Sequence, residues 1–157
     1  MGPRGAGMSQ ASPGQIGPGL RACNIGGEQL DANAEKAVVR ALEDEWRAQA
    51  TYETASQPMA AARLGNFARM EQRHAQALAY VLEQHGNAVP TRPAYTPAVP
   101  KDAPTMCKAG VEAEKQNIAL YDELLRASLP EDVKCVFRHL QLVSKQRHLP
   151  AFEQCAG

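Results

Sequence analysis

The chain has 157 residues, enough for one domain with a sizeable core and a short tail. Lysine plus arginine and aspartate plus glutamate number 17 each, a balance that offers nothing to recruit nucleic acid or an anionic membrane. Aromatics are only 5% of the residues and Ala, Leu, Glu, Gln and Arg dominate 31–86 and 105–155, so the composition of helix formers predicts an all-α protein.

Residues 1–27 are rich in Gly, Pro and Ser and show little periodicity. They read as mostly disordered, so that 1–30 forms a disordered or loosely attached segment ahead of a domain spanning 31–157. No apolar run approaches the length of a spanning helix, and residues 1–20 lack the apolar stretch of a signal peptide. The expectation is a cytoplasmic protein by default.

The first helix is predicted over about Asp31 to Ser56, capped by Asp31 or Asn33. Val38, Leu42, Glu45, Gln49 and Tyr52 fall at alternating steps of four and three along one face. A second helix is predicted from Pro58, a residue suited to a first turn, to near Gly86. Its stripe runs through Leu64, Phe67, Glu71, His74, Leu78 and Val81. The third covers about Pro104 to Ser128, with Val111, Glu114, Ile118, Tyr121 and Leu125 on one side. Ser128-Leu129-Pro130-Glu131 has a capping-box pattern and should open the fourth, which carries Phe137, Gln141, Ser144, His148 and Phe152. Pro150 is expected to kink that helix beside His148.

Between the second and third helices, Asn87 to Ala103 holds four prolines and no helical pattern. Extended as polyproline, this segment can cover roughly 50 Å, and a helix of about 24 residues is only about 36 Å long. It can therefore run the full height of a four-helix bundle, giving an up-down-down-up order with one long crossover.

The two halves of the sequence are related. Glu43-Asp44-Glu45 stands six residues before Tyr52-Glu53, and Glu112-Ala113-Glu114 stands six residues before Tyr121-Asp122. Gln72-Arg73-His74 follows the first pair and Gln146-Arg147-His148 the second. Glu45, Glu71, His74 and Glu114 occupy core positions, where an ionised carboxylate is costly unless paired or bound to metal.

A di-metal carboxylate bundle takes one Glu from each of two helices and Glu-x-x-His from each of the others. Here the segment Glu45-x-x-Ala48-x-x-x-Tyr52 resembles the first metal-binding helix of rubrerythrins. The run Asn66-Phe67-Ala68-Arg69-Met70-Glu71-Gln72-Arg73-His74 is similar to an uncharacterised bacterial ferritin-like family, and His148-Leu149 with Ala151-Phe152 resembles that family's last helix. The resemblance to the ferritin-like superfamily covers residues 31–155. It implies that Glu45 and His74 serve one metal and Glu114 and His148 the other, with Glu71 bridging. Iron or manganese, one or two ions, would then react with oxygen or peroxide. Tyr52 and Tyr121 would hydrogen-bond ligands or supply an electron.

Lys145 stands where a di-iron member has its second bridging Glu. A protonated Lys145 in the core favours a single ion, or replaces the metal's charge in a bundle that serves as a structural or interaction module. Tyr52, Tyr121 and Lys145 are thus the candidate catalytic residues. Glu45, Glu71, His74, Glu114 and His148 are the candidate metal ligands, oxygen or peroxide the small-molecule partner, and a homodimer stays open.

The four cysteines match no zinc spacing. In the crossover arrangement Cys107 and Cys155 share one end of the bundle, and Cys23 and Cys135 the other. Two disulfides would follow and would imply an exported protein; four free buried thiols are the alternative.

Overall fold

A computed structural model describes residues 17–59 and 62–157, and among these every regular element is helical. The elements are α1 (Pro18–Arg21), α2 (Ala32–Met59), α3 (Ala62–Gln84), α4 (Ala103–Leu124), α5 (Glu131–Val143), a π-helical turn (Ser144–His148) and α6 (Leu149–Ala156).

The helix ends follow local chemistry. Asp31 Oδ1 accepts from the amides of Asn33 and Ala34 at 2.9 and 2.8 Å, satisfying two donors that the first turn of α2 leaves open. Asp102 does the same for α4 through the Thr105 amide at 2.9 Å. Gly86, at φ 72°, turns the chain out of α3, and the Asn87 amide bonds back to Leu82 at 2.9 Å. Two boundaries depart from the sequence reading. Pro58 does not open the second helix but lies within α2. Ser128 does not cap α5: Pro130 holds that position without a side-chain bond, and Glu131 and Asp132 complement the helix dipole instead.

The pairwise contacts set the directions. Along α2 the partners on α4 run backwards, from Arg40 with Glu123 (2.9 Å) to Tyr52 with Glu114 (2.8 Å). Along α3, Phe67 lies beside Tyr52 and His74 beside Glu45, so α3 is also antiparallel to α2. The α5–α6 rod runs antiparallel to α4, with Ser144 bonded to Asn117 and Cys155 to Cys107. The proline-bearing segment after α3 follows α2: Asn87 exchanges two hydrogen bonds with the Leu30 backbone, Tyr95 donates to Glu43 O, and Val99 reaches the packing around Tyr52.

Residues 17–30 are more firmly held than their composition predicts. Leu20, Cys23 and Leu30 are buried in the main core, Cys23 is disulfide-bonded to Cys135, and Gly26 N donates to Asp132. His85 lies between Glu28 O (2.6 Å) and Asp132 Oδ2 (2.8 Å), tying the same stretch to α3 and α5. The expectation of a disordered or loosely attached segment therefore fails from residue 17 onward, because apolar burial and a covalent link supply the free energy that Gly and Pro withhold. Residues 1–16 lie outside the described part.

Two apolar clusters form the core. The larger includes Leu42, Trp46, Leu78, Tyr121 and Phe137; the smaller includes Tyr52, Leu64, Met106 and Phe152. Each buried side chain of this size contributes about 1.5–3 kcal/mol. Glu45, Glu71, His74, Glu114 and His148 are buried yet belong to neither cluster.

Candidate metal centre

The interior carboxylates arrive from three helices. Glu45 comes from α2, Glu71 from α3 and Glu114 from α4, each 1–2% exposed. His74 follows Glu71 by three residues, so the α3 pair leaves one face of the helix. His148 closes the group from the end of the π turn and is wholly buried. The two imidazoles stack at 5.4 Å between centroids and 13° between planes.

Glu71 stands in the middle. Its Oε2 is 3.0 Å from His74 Nδ1 and its Oε1 is 3.0 Å from His148 Nδ1. His74 Nδ1 also faces Glu45 Oε2 at 3.3 Å, and His148 Nδ1 faces Glu114 Oε2 at 3.5 Å. Two triads result, Glu45–Glu71–His74 and Glu71–Glu114–His148, each with ligand atoms within 4.8 Å of one another. Either can hold a metal ion.

The His148 ring tests that fit. Its Nδ1 is close to two carboxylate oxygens, yet neither ring nitrogen has an aligned hydrogen-bond partner. Such unpaired buried groups are rare in native proteins. One N–H cannot point along both directions, whereas a cation between the three atoms can accept all of them. The donor set of carboxylate oxygen and imidazole nitrogen suits iron, manganese or zinc.

Around this layer the two halves of the chain serve each other. Tyr52 donates to Glu114 Oε1 at 2.8 Å, and Tyr121 donates to Glu45 Oε1 at 2.6 Å. Each hydroxyl reaches in from a different apolar cluster. Burial first, then the neighbouring carboxylates, pushes both phenols well above their usual range, so they act as donors.

Without a bound ion, protons on the two imidazoles offset two of the three carboxylates. Burial alone would pull the His74 imidazole down, but Glu45 and Glu71 outweigh it and raise it to about 10. His148 is likewise opposed by burial and raised to about 9 by Glu114 and Glu71. Burial pushes the Glu71 carboxyl up, yet the two flanking imidazoles hold it at about 2. Glu45 moves the other way: burial raises it, and His74 offsets this only partly.

Lys145 is not part of the centre. Its side chain is 43% exposed and lies 3.8 Å from Asp122 Oδ1 on the outer face. The reason is the π turn, closed by the Leu149 amide bonding to Ser144 O. The wider turn brings Ser144, four residues before His148, to the inner face and rotates Lys145 outward. Pro150, without an amide hydrogen, sits immediately after it. The core position expected of Lys145 is not occupied by its ammonium group, and the argument against a second ion goes with it. Three carboxylates with two divalent ions leave one net positive charge.

Ser144 opens a polar chain that the sequence reading left without a role. Its Oγ donates to Asn117 Oδ1 at 2.9 Å, and Asn117 Nδ2 donates to Asp44 Oδ2 (2.9 Å) and Glu45 Oε1 (3.4 Å). Burial raises the Asp44 carboxyl, with the Asn117 hydrogen bond opposing. Asn117 lies three residues after Glu114 and four before Tyr121, a spacing that already put it on the site face. Asp44, Arg47, Thr51, Tyr52, Glu114 and Asn117 help line a cavity of about 110 Å³ between α2 and α4 that reaches Glu71.

No protein-family model matches the chain, and no curated protein matches it.

Proposed function

We propose that the protein is a ferritin-like metal-binding protein and an oxidoreductase that uses iron or manganese with oxygen or peroxide. The fold reading is a four-helix bundle of up-down-down-up order, in which α5, the π turn and α6 form one interrupted fourth rod. The observation that carries the function is Glu71, with an oxygen 3.0 Å from each of two stacked imidazoles and a further buried carboxylate beyond each. Glu45 and His74 would hold one ion, Glu114 and His148 the other, with Glu71 shared. A bound redox-active ion would supply the electron transfer that none of these side chains provides by itself.

The remaining roles belong to the chain. Tyr121 and Tyr52 hold Glu45 and Glu114 by one oxygen each, leaving the other oxygen turned toward a histidine. Asn117 adds a second restraint on Glu45. The cavity brings a small molecule within reach of Glu71 and Glu114. The two disulfides support an oxidising compartment for this chemistry.

Protein prepared without chelators and reconstituted with Fe(II) should bind one to two ions and consume oxygen. Absence of binding, or binding unchanged in Glu71→Ala, rejects this reading.

A second reading is favoured by the imidazoles raised to about 10 and 9, which offset two of the three buried carboxylates without any metal. The bundle would then serve as a structural or interaction module. Its signature is a thermal midpoint indifferent to iron, manganese and chelator, since a ligand that binds only the folded state must raise it.

A further inference from the structure

The rod that carries His148 is interrupted at that residue. After the π turn, α6 contributes only Leu149–Ala156, a length far below what is stable as an isolated helix. Pro150 withholds a backbone donor at the junction, so the helical ladder from α5 is incomplete. α6 must therefore be held from the side, and two residues do it. Phe152 is fully buried, stacked on Phe67 at 4.4 Å and seated against Gly110 of α4. Cys155, one turn later, is bonded to Cys107 of α4 with their Cα atoms 5.7 Å apart. Cys155 is exposed while Cys107 is buried, so a reagent can reach one side of the bond. The other disulfide, Cys23–Cys135, joins the N-terminal segment to α5 at the opposite end of the helices.

We propose that the Cys107–Cys155 disulfide is a thiol-sensitive clamp that keeps His148 against Glu71 and Glu114, so that its reduction lowers the affinity of the centre for a divalent ion. The proposal rests on the metal-binding reading above and adds its regulation. The reductant is a dithiol. One thiolate attacks Cys155 Sγ and Cys107 leaves as a thiolate that takes up a proton. The second thiolate then attacks the reductant's own sulfur in the mixed disulfide and releases Cys155. Two electrons and two protons pass to the protein, and the dithiol becomes a disulfide. α6 then keeps its packing on α4, with Phe152 at its centre, but loses its covalent tie. A ligand displaced by a fraction of an ångström no longer meets the geometry a metal site requires.

The test uses the full chain as oxidised wild type, C107S/C155S and C23S/C135S. Mn(II) affinity is measured by titration, and amide hydrogen exchange is measured without metal. In C107S/C155S, Mn(II) should bind at least tenfold more weakly and amides of residues 149–156 should lose protection while α2 keeps its own. C23S/C135S should stay within threefold of wild type. Wild-type affinity in C107S/C155S, or equal weakening in both variants, overturns the clamp. If C107S/C155S fails to fold, seen as lost α2 protection, C23S/C135S reduced by dithiol under native conditions takes its place: weaker binding than in the same variant oxidised, with lost protection of 149–156, supports the clamp, and unchanged affinity overturns it. If oxidised wild type takes up no Mn(II), the functional reading falls; unchanged protection of 149–156 would then overturn the clamp independently.

Discussion

Tyr121 donates a 2.6 Å hydrogen bond to Glu45 although 76 residues separate them, and Tyr52 mirrors it on Glu114 across 62 residues. Each half of the chain thus restrains the carboxylate of the other. Hydrogen bonds to charged groups contribute about 1.5–3 kcal/mol. Tyr121→Phe should destabilise the metal-free protein by roughly that amount in urea unfolding. Tyr52→Phe should cost a similar amount, and the double variant should depart from the sum, because Glu45 and Glu114 are linked through His74, Glu71 and His148 in one buried network. An unchanged midpoint in either single variant contradicts the reciprocal arrangement.

Stability should depend on pH with a sign that the ion reverses. His74 and His148 are raised to about 10 and 9 in the folded, metal-free protein, against about 6.5 in the unfolded chain. Their contribution is complete below about pH 6.5 and is lost as pH rises through 9 to 10. Glu71, lowered to about 2, contributes fully above the ordinary carboxylate range and loses its share progressively as pH falls from that range through 2. Chelator-treated protein should therefore weaken from pH 7 to 10. Metal needs neutral imidazoles, so Mn(II) uptake at pH 7.5 should release about two protons when both triads fill. Calorimetry in buffers of different ionisation enthalpy measures that number, and a value near zero counts against the two imidazoles as ligands.

Gly110 accommodates the Phe152 ring, and an added Cβ would overlap it. The contact is backbone against a fully buried ring that is itself stacked on Phe67, so neither partner yields cheaply. Gly110→Ala should cost about 1–3 kcal/mol, the usual range for overpacking. A thermal midpoint equal to wild type would show that Phe152 does not hold α6 in this way.

Lys145→Glu should leave metal stoichiometry unchanged. The side chain is on the outer face, and its pairing with Asp122 is a solvent-exposed contact of a kind that contributes about 0–1 kcal/mol. A clear gain in bound metal would place residue 145 back in the interior and contradict the π turn.

Much of this site was legible before any coordinates. The four-and-three spacing put Glu45 and Tyr52 on one face, and the Glu-x-x-His pair on α3 pointed inward as its period required. The repeat between halves pointed to Glu114 and Tyr121, and the bundle's ends paired the cysteines correctly. Asn117 has the same spacing, but an uncharged amide at a core position carries no electrostatic signal that marks it as part of a site.

What the sequence by itself determined is periodic: which residues are helical, which face is apolar, and which charges must be buried. Those follow from local geometry and the cost of exposing apolar surface. Only the tertiary structure decided that Lys145 faces water, that Ser144 bonds to Asn117, and that residues from 17 onward are docked. A π turn adds part of a residue to one revolution and rotates everything around it. Beyond that turn, Phe152 and Cys155 are seated on α4, contacts made between helices far apart in sequence.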